Sequence, residues 1–260
     1  MDRVPSELVA FAHRLADAAG EIQRRWFRRP VAVDTKPDAS PVTIADREAE
    51  AIMRELVARH RPEDGILGEE HGRERLDAEW VWVFDPIDGT KSFLAGRPLF
   101  VTLVGLLREG RPVLGLVDQA IAGERWLGVA GRPTLFNGRP CRCRPCAELD
   151  AAFLACTSPQ MFRRDEERAA FARLLARVRQ AIWGGDAYGS GLLALGFLDL
   201  VVEADLEPYD VLPLVPVIEG AGGRVSDWQG RAPGLASDQR MVAAGDPRLH
   251  ARALSVLAGR

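Results

Sequence analysis

The sequence predicts an α+β chain of stacked helix and sheet layers. Two observations carry this: apolar residues recur at helical spacing in several stretches, and short β-favouring runs lie between them, separated by Gly, Pro and charge. A third bounds it, since 260 residues, 47% of them hydrophobic, suffice for one large domain or two intimate subdomains. No apolar run approaches the roughly 18–20 residues that a membrane span needs. A net charge of −3 and a pI of about 5.9 lack the basic excess of a nucleic-acid binder.

Residues 6–27 predict a first helix, with Leu8, Phe11, Ala12, Leu15, Ala19, Ile22 and Trp26 on one face. Residues 30–43 contain three prolines and read as a loop or hairpin. A second helix is expected from about Ala45 to His60, opened by a capping box in Thr43-Ile44-Ala45-Asp46. Trp80–Phe84, Val101–Leu107, Pro112–Asp118 and Glu124–Val129 predict strands. Phe153–Cys156 begins a second half. There Arg163–Arg179 and Tyr188–Gly196 read as helices, and Leu198–Ala204 as a buried strand. Asp210–Gly220 reads as a helix that Pro216 should bend or shift. The expected division lies near residue 145, giving subdomains 1–145 and 146–260.

The N-terminus lacks the charged-then-apolar order of a signal peptide, so a cytoplasmic location is expected. Cys141, Cys143, Cys146 and Cys156 lack the paired spacing and histidines of zinc sites and read as reduced thiols.

The chemistry concentrates in Asp85-Pro86-Ile87-Asp88-Gly89-Thr90, which follows a predicted strand. Pro86 is expected to stop that strand, and Gly89 lets backbone approach a ligand. Thr90 opens a short helix whose N–H groups suit a phosphate. Two carboxylates beside such amides suit a hard cation and a phosphate together. An Asp-rich turn held by Asx hydrogen bonds is the plainer alternative. Gly68-Glu69-Glu70, Asp46 and Asp210 add acids at other element ends, where caps and a solvated loop are the ordinary readings. His71 reads as a loop histidine, and Lys91 and Arg97 as surface cations with a possible phosphate or subunit role.

These elements together resemble the inositol monophosphatase-like metal-dependent phosphatases. Gly68-Glu69-Glu70, the Asp85–Thr90 run and Asp210 match the family's order and spacing, with Lys36 and Asp46 upstream. Within the family, DPIDGTKSFLAGRPLF from Asp85 to Phe100, Gly184 to Gly189, and DLVVEADLEPYD from Asp199 to Asp210 resemble bacterial histidinol-phosphate phosphatases. Ala187 stands where a bulkier residue or Cys is expected. The resemblance implies a layered αβαβα sandwich of the inositol monophosphatase type, a homodimer, and two or three Mg²⁺ per site. It places most metal ligands in the N-terminal subdomain, and Asp210 and the substrate contacts in the C-terminal one.

By the same resemblance Glu69, Asp85 and the Ile87 carbonyl hold one Mg²⁺. Asp85, Asp88 and Asp210 hold another. Glu69, Thr90 and Asp46 are the expected catalytic residues, activating and orienting water. Asp88, Gly89, Thr90, Asp186, Glu203 and Asp210 are the expected substrate contacts. The expected reaction is hydrolysis of a small phosphate monoester, foremost L-histidinol phosphate in histidine biosynthesis. Carboxylates at 186 and 203 suit a cationic leaving group; capping of the next helix is an equal reading of Asp186. Inositol monophosphate, a 3′-phosphonucleotide or fructose bisphosphate are the rival substrates. A non-catalytic phosphate-ligand or regulatory protein is the rival class.

Overall fold

A computed structural model of the chain describes residues 4–35, 41–236 and 238–260. Lys36 lies outside the described residues. The N-terminal half runs α1 (Ser6–Trp26), β1 (Val33–Thr35), β2 (Pro41–Thr43), α2 (Ile44–His60), β3 (Gly65–Gly68), β4 (Gly72–Glu74), β5 (Trp80–Asp88), α3 (Thr90–Leu94), β6 (Val101–Arg108), β7 (Arg111–Gln119), β8 (Glu124–Val129), β9 (Leu135–Phe136) and β10 (Arg139–Pro140). The C-terminal half runs β11 (Phe153–Cys156), α4 (Asp165–Leu175), β12 (Gln180–Trp183), α5 (Asp186–Ala194), β13 (Leu200–Glu203), α6 (Pro208–Val211), α7 (Leu214–Gly220), β14 (Arg224–Ser226), β15 (Met241–Ala244) and α8 (Pro247–Leu257).

β1 and β2 form a small hairpin. The large sheet has eight strands in the order β10-β9-β8-β7-β6-β5-β3-β4 and is antiparallel except between β3 and β5. The second sheet has five strands in the order β12-β11-β13-β15-β14, with β11 parallel to β12 and β13. Helices α1 and α2 pack on each other and on one face of the large sheet. Its other face meets α5 and α7, which also touch the second sheet, and α4 and α8 cover the far side. The order is therefore α, β, α, β, α, the five-layer sandwich expected. Three large apolar clusters fill the gaps between layers.

The middle layer is thin for a reason visible in the sequence. Gly105, Gly115 and Gly128 are cross-strand partners in one row across β6, β7 and β8. A Cβ on Gly115 would lie 1.8 Å from the Pro213 carbonyl oxygen, and one on Gly128 would lie 2.3 Å from the Pro216 backbone. The row leaves α7 and its leading turn lying directly on the sheet backbone.

Three elements differ from expectation. β5 continues through Pro86 to Asp88, because the register shifts between Asp85 and Asp88 and the bulge takes up a residue with no N–H to donate. The helix expected over 163–179 ends at Leu175, and Gln180–Trp183 forms an edge strand. The helix expected over 210–220 is two helices: Pro213 is the N-cap of α7, and Pro216 falls in its first turn, where no N–H is needed. Three C-terminal elements, β14, β15 and α8, were not anticipated.

Candidate active site

Strand β5 delivers Asp85 and Asp88 from either side of its bulge, and α6 delivers Asp210. One carboxylate oxygen from each of the three lies within 4.8 Å of the others. Glu69 sits just after β3, and its backbone N–H donates to the Phe84 carbonyl at 3.2 Å. This places Glu69 beside Asp85, close enough for their side chains to hydrogen bond.

Asp46, Asp85, Asp88 and Asp210 each spend an oxygen on the fold. Asp46 and Asp210 both occupy the third helical position of a capping box rather than the N-cap itself. Asp46 Oδ2 accepts from the Thr43 N–H at 2.8 Å, while its Oδ1 accepts from Thr90 Oγ1 at 3.3 Å. Asp210 Oδ2 accepts from the Glu207 N–H at 2.8 Å. Asp85 Oδ1 accepts from the Ile87 N–H at 3.0 Å, and Asp88 Oδ2 from the Ala187 N–H at 2.6 Å. Capping and ligand binding are compatible in these side chains: the hydrogen bonds fix the rotamers and leave further lone pairs for a ligand.

Burial pushes the carboxyls of Asp85 and Asp88 well above the usual range, and neighbouring acids push them further. Burial likewise raises Asp210 to about 8, with Glu69 and Glu207 adding repulsion. Such a cluster is unfavourable as it stands and favourable around a cation. The donor set is all oxygen, with the Ile87 carbonyl at hand. That chemistry fits a hard divalent ion such as Mg²⁺ rather than zinc. The four cysteines are free thiols elsewhere in the chain.

Thr90 Oγ1 also faces the Ile87 carbonyl at 3.2 Å. Gly89 is the N-cap of α3 with φ of 91°, in the left-handed region. A Cβ there would also meet Asp186 Oδ2 at 2.9 Å, so glycine answers two constraints. Asp186 does not cap α5: it is the helix's first residue, after N-cap Gly185, with its own φ of 44°. Its carboxylate lies over Gly89 and within 3.5 Å of Ser92 Oγ. Burial raises its pKa, while Ser92, Lys91 and Arg97 oppose the rise.

Asp186 and Glu203 line a pocket of about 170 Å³ together with Asp88, Asp210, Thr157 and Ser190. Glu203 Oε1 accepts from the Thr157 N–H at 2.9 Å and its hydroxyl at 3.1 Å. Its Oε2 and the Ser190 hydroxyl are buried without a hydrogen-bond partner among the described residues. Burial raises Glu203 to about 8. A larger cavity of about 360 Å³ lies between α1 and the β7–β8 hairpin, but its Arg125 is already held by Asp118 and Asp17. Chemistry rather than size selects the site.

Among the described residues, those the sequence assigns to metal, water and substrate therefore gather in one place. His71 stays at the rim, its ring 3.3 Å from the Arg47 carbonyl. Arg97 reaches the Gly184 carbonyl at 3.3 Å and Lys91 is exposed. Sequence reasoning missed two residues on inner helix faces. Gln23 of α1 donates from Nε2 to the Pro86 carbonyl at 2.7 Å and to Thr102 Oγ1 at 2.6 Å, supporting the bulge. Glu50 of α2 binds the loop that carries Glu69. The signal available was a polar residue on an otherwise apolar face.

No helix among the described residues is long and apolar enough to cross a membrane. The chain is 45% identical to the chloroplastic bifunctional phosphatase IMPL2 of Arabidopsis thaliana, over 97% of this chain and 78% of that one. It is 37% identical to the histidinol-phosphatase of Mycobacterium tuberculosis, over 84% and 86%. An inositol monophosphatase structure from Zymomonas mobilis superposes with a TM-score of 0.90 at 47% identity, covering 99% and 100%. The model of the inositol monophosphatase family matches residues 4–259, and the chain belongs to that family of phosphatases.

Proposed function

We propose that the protein hydrolyses L-histidinol phosphate to L-histidinol and phosphate with Mg²⁺ as cofactor. The observation that carries the substrate is the buried Oε2 of Glu203, unpartnered in a pocket it shares with Asp186. Histidinol phosphate brings an ammonium and an imidazole, both able to donate charge-assisted hydrogen bonds to such carboxylates. Inositol brings only hydroxyls. The histidinol-phosphatase at 37% identity supports the same reading. The Zymomonas inositol monophosphatase at 47% identity favours a second reading, turnover of inositol monophosphate at the same site.

The family depends on divalent metal, typically Mg²⁺. Glu69, Asp85, Asp88, Asp210 and the Ile87 carbonyl would hold it, and it would supply charge neutralisation and a more acidic attacking water. Glu69 accepts the proton of that water. Thr90, fixed between Asp46 and the Ile87 carbonyl, orients the water's lone pair toward phosphorus. The N–H groups of Gly89 and Thr90 receive phosphate oxygens as charge redistributes. The ester P–O bond breaks, and Asp186 and Glu203 hold the departing alkoxide by its cationic groups while it takes a proton from solvent and leaves as the alcohol. A homodimer belongs to the same reading.

Phosphate release from histidinol phosphate, inositol monophosphate, a 3′-phosphonucleotide and fructose bisphosphate, with Mg²⁺ and with chelator, tests the proposal. Highest kcat/KM on histidinol phosphate is expected. Asp186→Ala should raise KM for it more than for inositol monophosphate, and equal effects would remove the substrate argument.

A further inference from the structure

We propose that Glu50 is a positioning residue of the site, a buried carboxylate that sets where Glu69 stands relative to Asp85. The inference rests on the metal-phosphatase reading above. Glu50 lies one turn past Asp46 on α2 and is 0% exposed. Its Oε2 accepts from the Glu70 N–H at 2.6 Å, and its Oε1 from the His71 N–H at 3.1 Å. A Cβ on Gly68 would lie 2.0 Å from Oε1, so the carboxylate is packed against the residue before Glu69 as well. One side chain thus grips the loop on both sides of Glu69.

The opposite edge of the loop is fixed too. The Glu69 N–H donates to Phe84, the residue before Asp85. Glu69 is therefore suspended between α2 and β5. Arg54, one turn further along α2, donates to Glu50 Oε1 at 2.7 Å and reaches Glu74 and the Gly72 carbonyl beyond the loop. Buried charge is costly unless paired and hydrogen bonded, and Glu50 is both.

The residue type matters because two backbone donors and a guanidinium converge on it. A carboxylate offers an acceptor in both directions; a glutamine of the same shape turns an NH₂ toward one of the donors. Its neighbours on the inner face of α2 are Ala49, Met53 and Val57, all buried, so simple packing called for an apolar residue. α2 consequently presents two acids one turn apart, Asp46 toward Thr90 and Glu50 toward the Glu69 loop. A single rigid helix couples the proton acceptor to the hydroxyl that orients the water.

The test is E50Q in the full chain. Calorimetric titration with Mg²⁺ alone should show affinity reduced by about 10–100-fold, the usual cost of losing a group that orients a ligand. The Mg²⁺ concentration for half-maximal phosphate release should rise in parallel, with KM for the phosphate ester at saturating Mg²⁺ unchanged. A merely structural role would instead lower the metal-free melting temperature and leave Mg²⁺ affinity as it was. Gly68→Ala displaces the same carboxylate without removing it and should weaken Mg²⁺ binding in the same direction, which covers failure of E50Q to fold. Unchanged Mg²⁺ affinity in either folded variant overturns the inference. A wild-type chain that binds no Mg²⁺ overturns the site reading along with it, so the two failures are distinct.

Discussion

Asp88→Asn separates the metal site from the fold. Asp88 Oδ2 accepts from the Ala187 N–H at 2.6 Å, and an asparagine oxygen can take over that bond. The charges around Asp88 belong to Asp186, Asp210 and Glu69, all acidic, so the metal-free variant loses repulsion and should melt no lower than wild type. With Mg²⁺ the order reverses. At 100 times its dissociation constant, Mg²⁺ stabilises wild type by about 2.7 kcal/mol. At about 2–4 °C per kcal/mol, that raises the melting temperature by roughly 5–10 °C. A variant with about 100-fold weaker binding sits at one dissociation constant at the same Mg²⁺ and gains about 0.4 kcal/mol, or roughly 1 °C. Activity should fall by about 10²–10³-fold or more. Melting curves with Mg²⁺ and with chelator, alongside phosphate release, read both effects. A full Mg²⁺ shift in D88N with activity intact would refute the metal site. A large fall in the metal-free melting temperature would refute the repulsion reasoning.

Three further expectations follow from other parts of the structure. Thr90→Val keeps shape but removes the hydroxyl between Asp46 and the Ile87 carbonyl, so kcat should drop by about 10²-fold while KM changes little. Gly115→Ala drives a methyl into the Pro213 carbonyl 1.8 Å away and should cost about 3 kcal/mol, seen in denaturant melts. His250 is kept neutral mainly by burial, which lowers it to about 4 from 6.5, next to Ser226 Oγ at 2.9 Å. Its contribution is therefore complete above pH 6.5 and is lost as pH falls toward 4; His250→Gln should flatten that acid limb of the stability profile by up to one proton.

Local signals announced much of the fold. The α1 and α2 helices follow from apolar spacing, and the α2 start from Thr43 and Asp46. The five-layer order came from resemblance, because it depends on how sheets stack, which no local pattern encodes. Short strands such as Arg224–Ser226 and Met241–Ala244 carry too few residues for a period to show. α8 was legible too, with a start in Asp246-Pro247, an N-cap followed by a first-turn proline, and an apolar stripe of Leu249, Ala253, Val256 and Leu257 at helical spacing. Pro86 misled because a bulge, a feature of strand pairing, removes the need for its missing N–H. The acids of the site were legible as motifs. Glu50 and Gln23 were not, since the Glu69 loop and the β5 bulge that they hold come near them only after folding.

The glycine row bears on how freely the interior can vary. Asp210 is carried by the turn of helix immediately before α7, and at Gly115 and Gly128 the main chain of α7 and its leading turn comes directly onto β7 and β8. At those points no side chain acts as a shim, and hard contact between main chains gauges the distance from Asp210 to Asp85 and Asp88. Apolar substitutions elsewhere between the sheets can then alter stability while leaving that spacing alone, whereas any bulk added along the row moves one wall of the cation site directly.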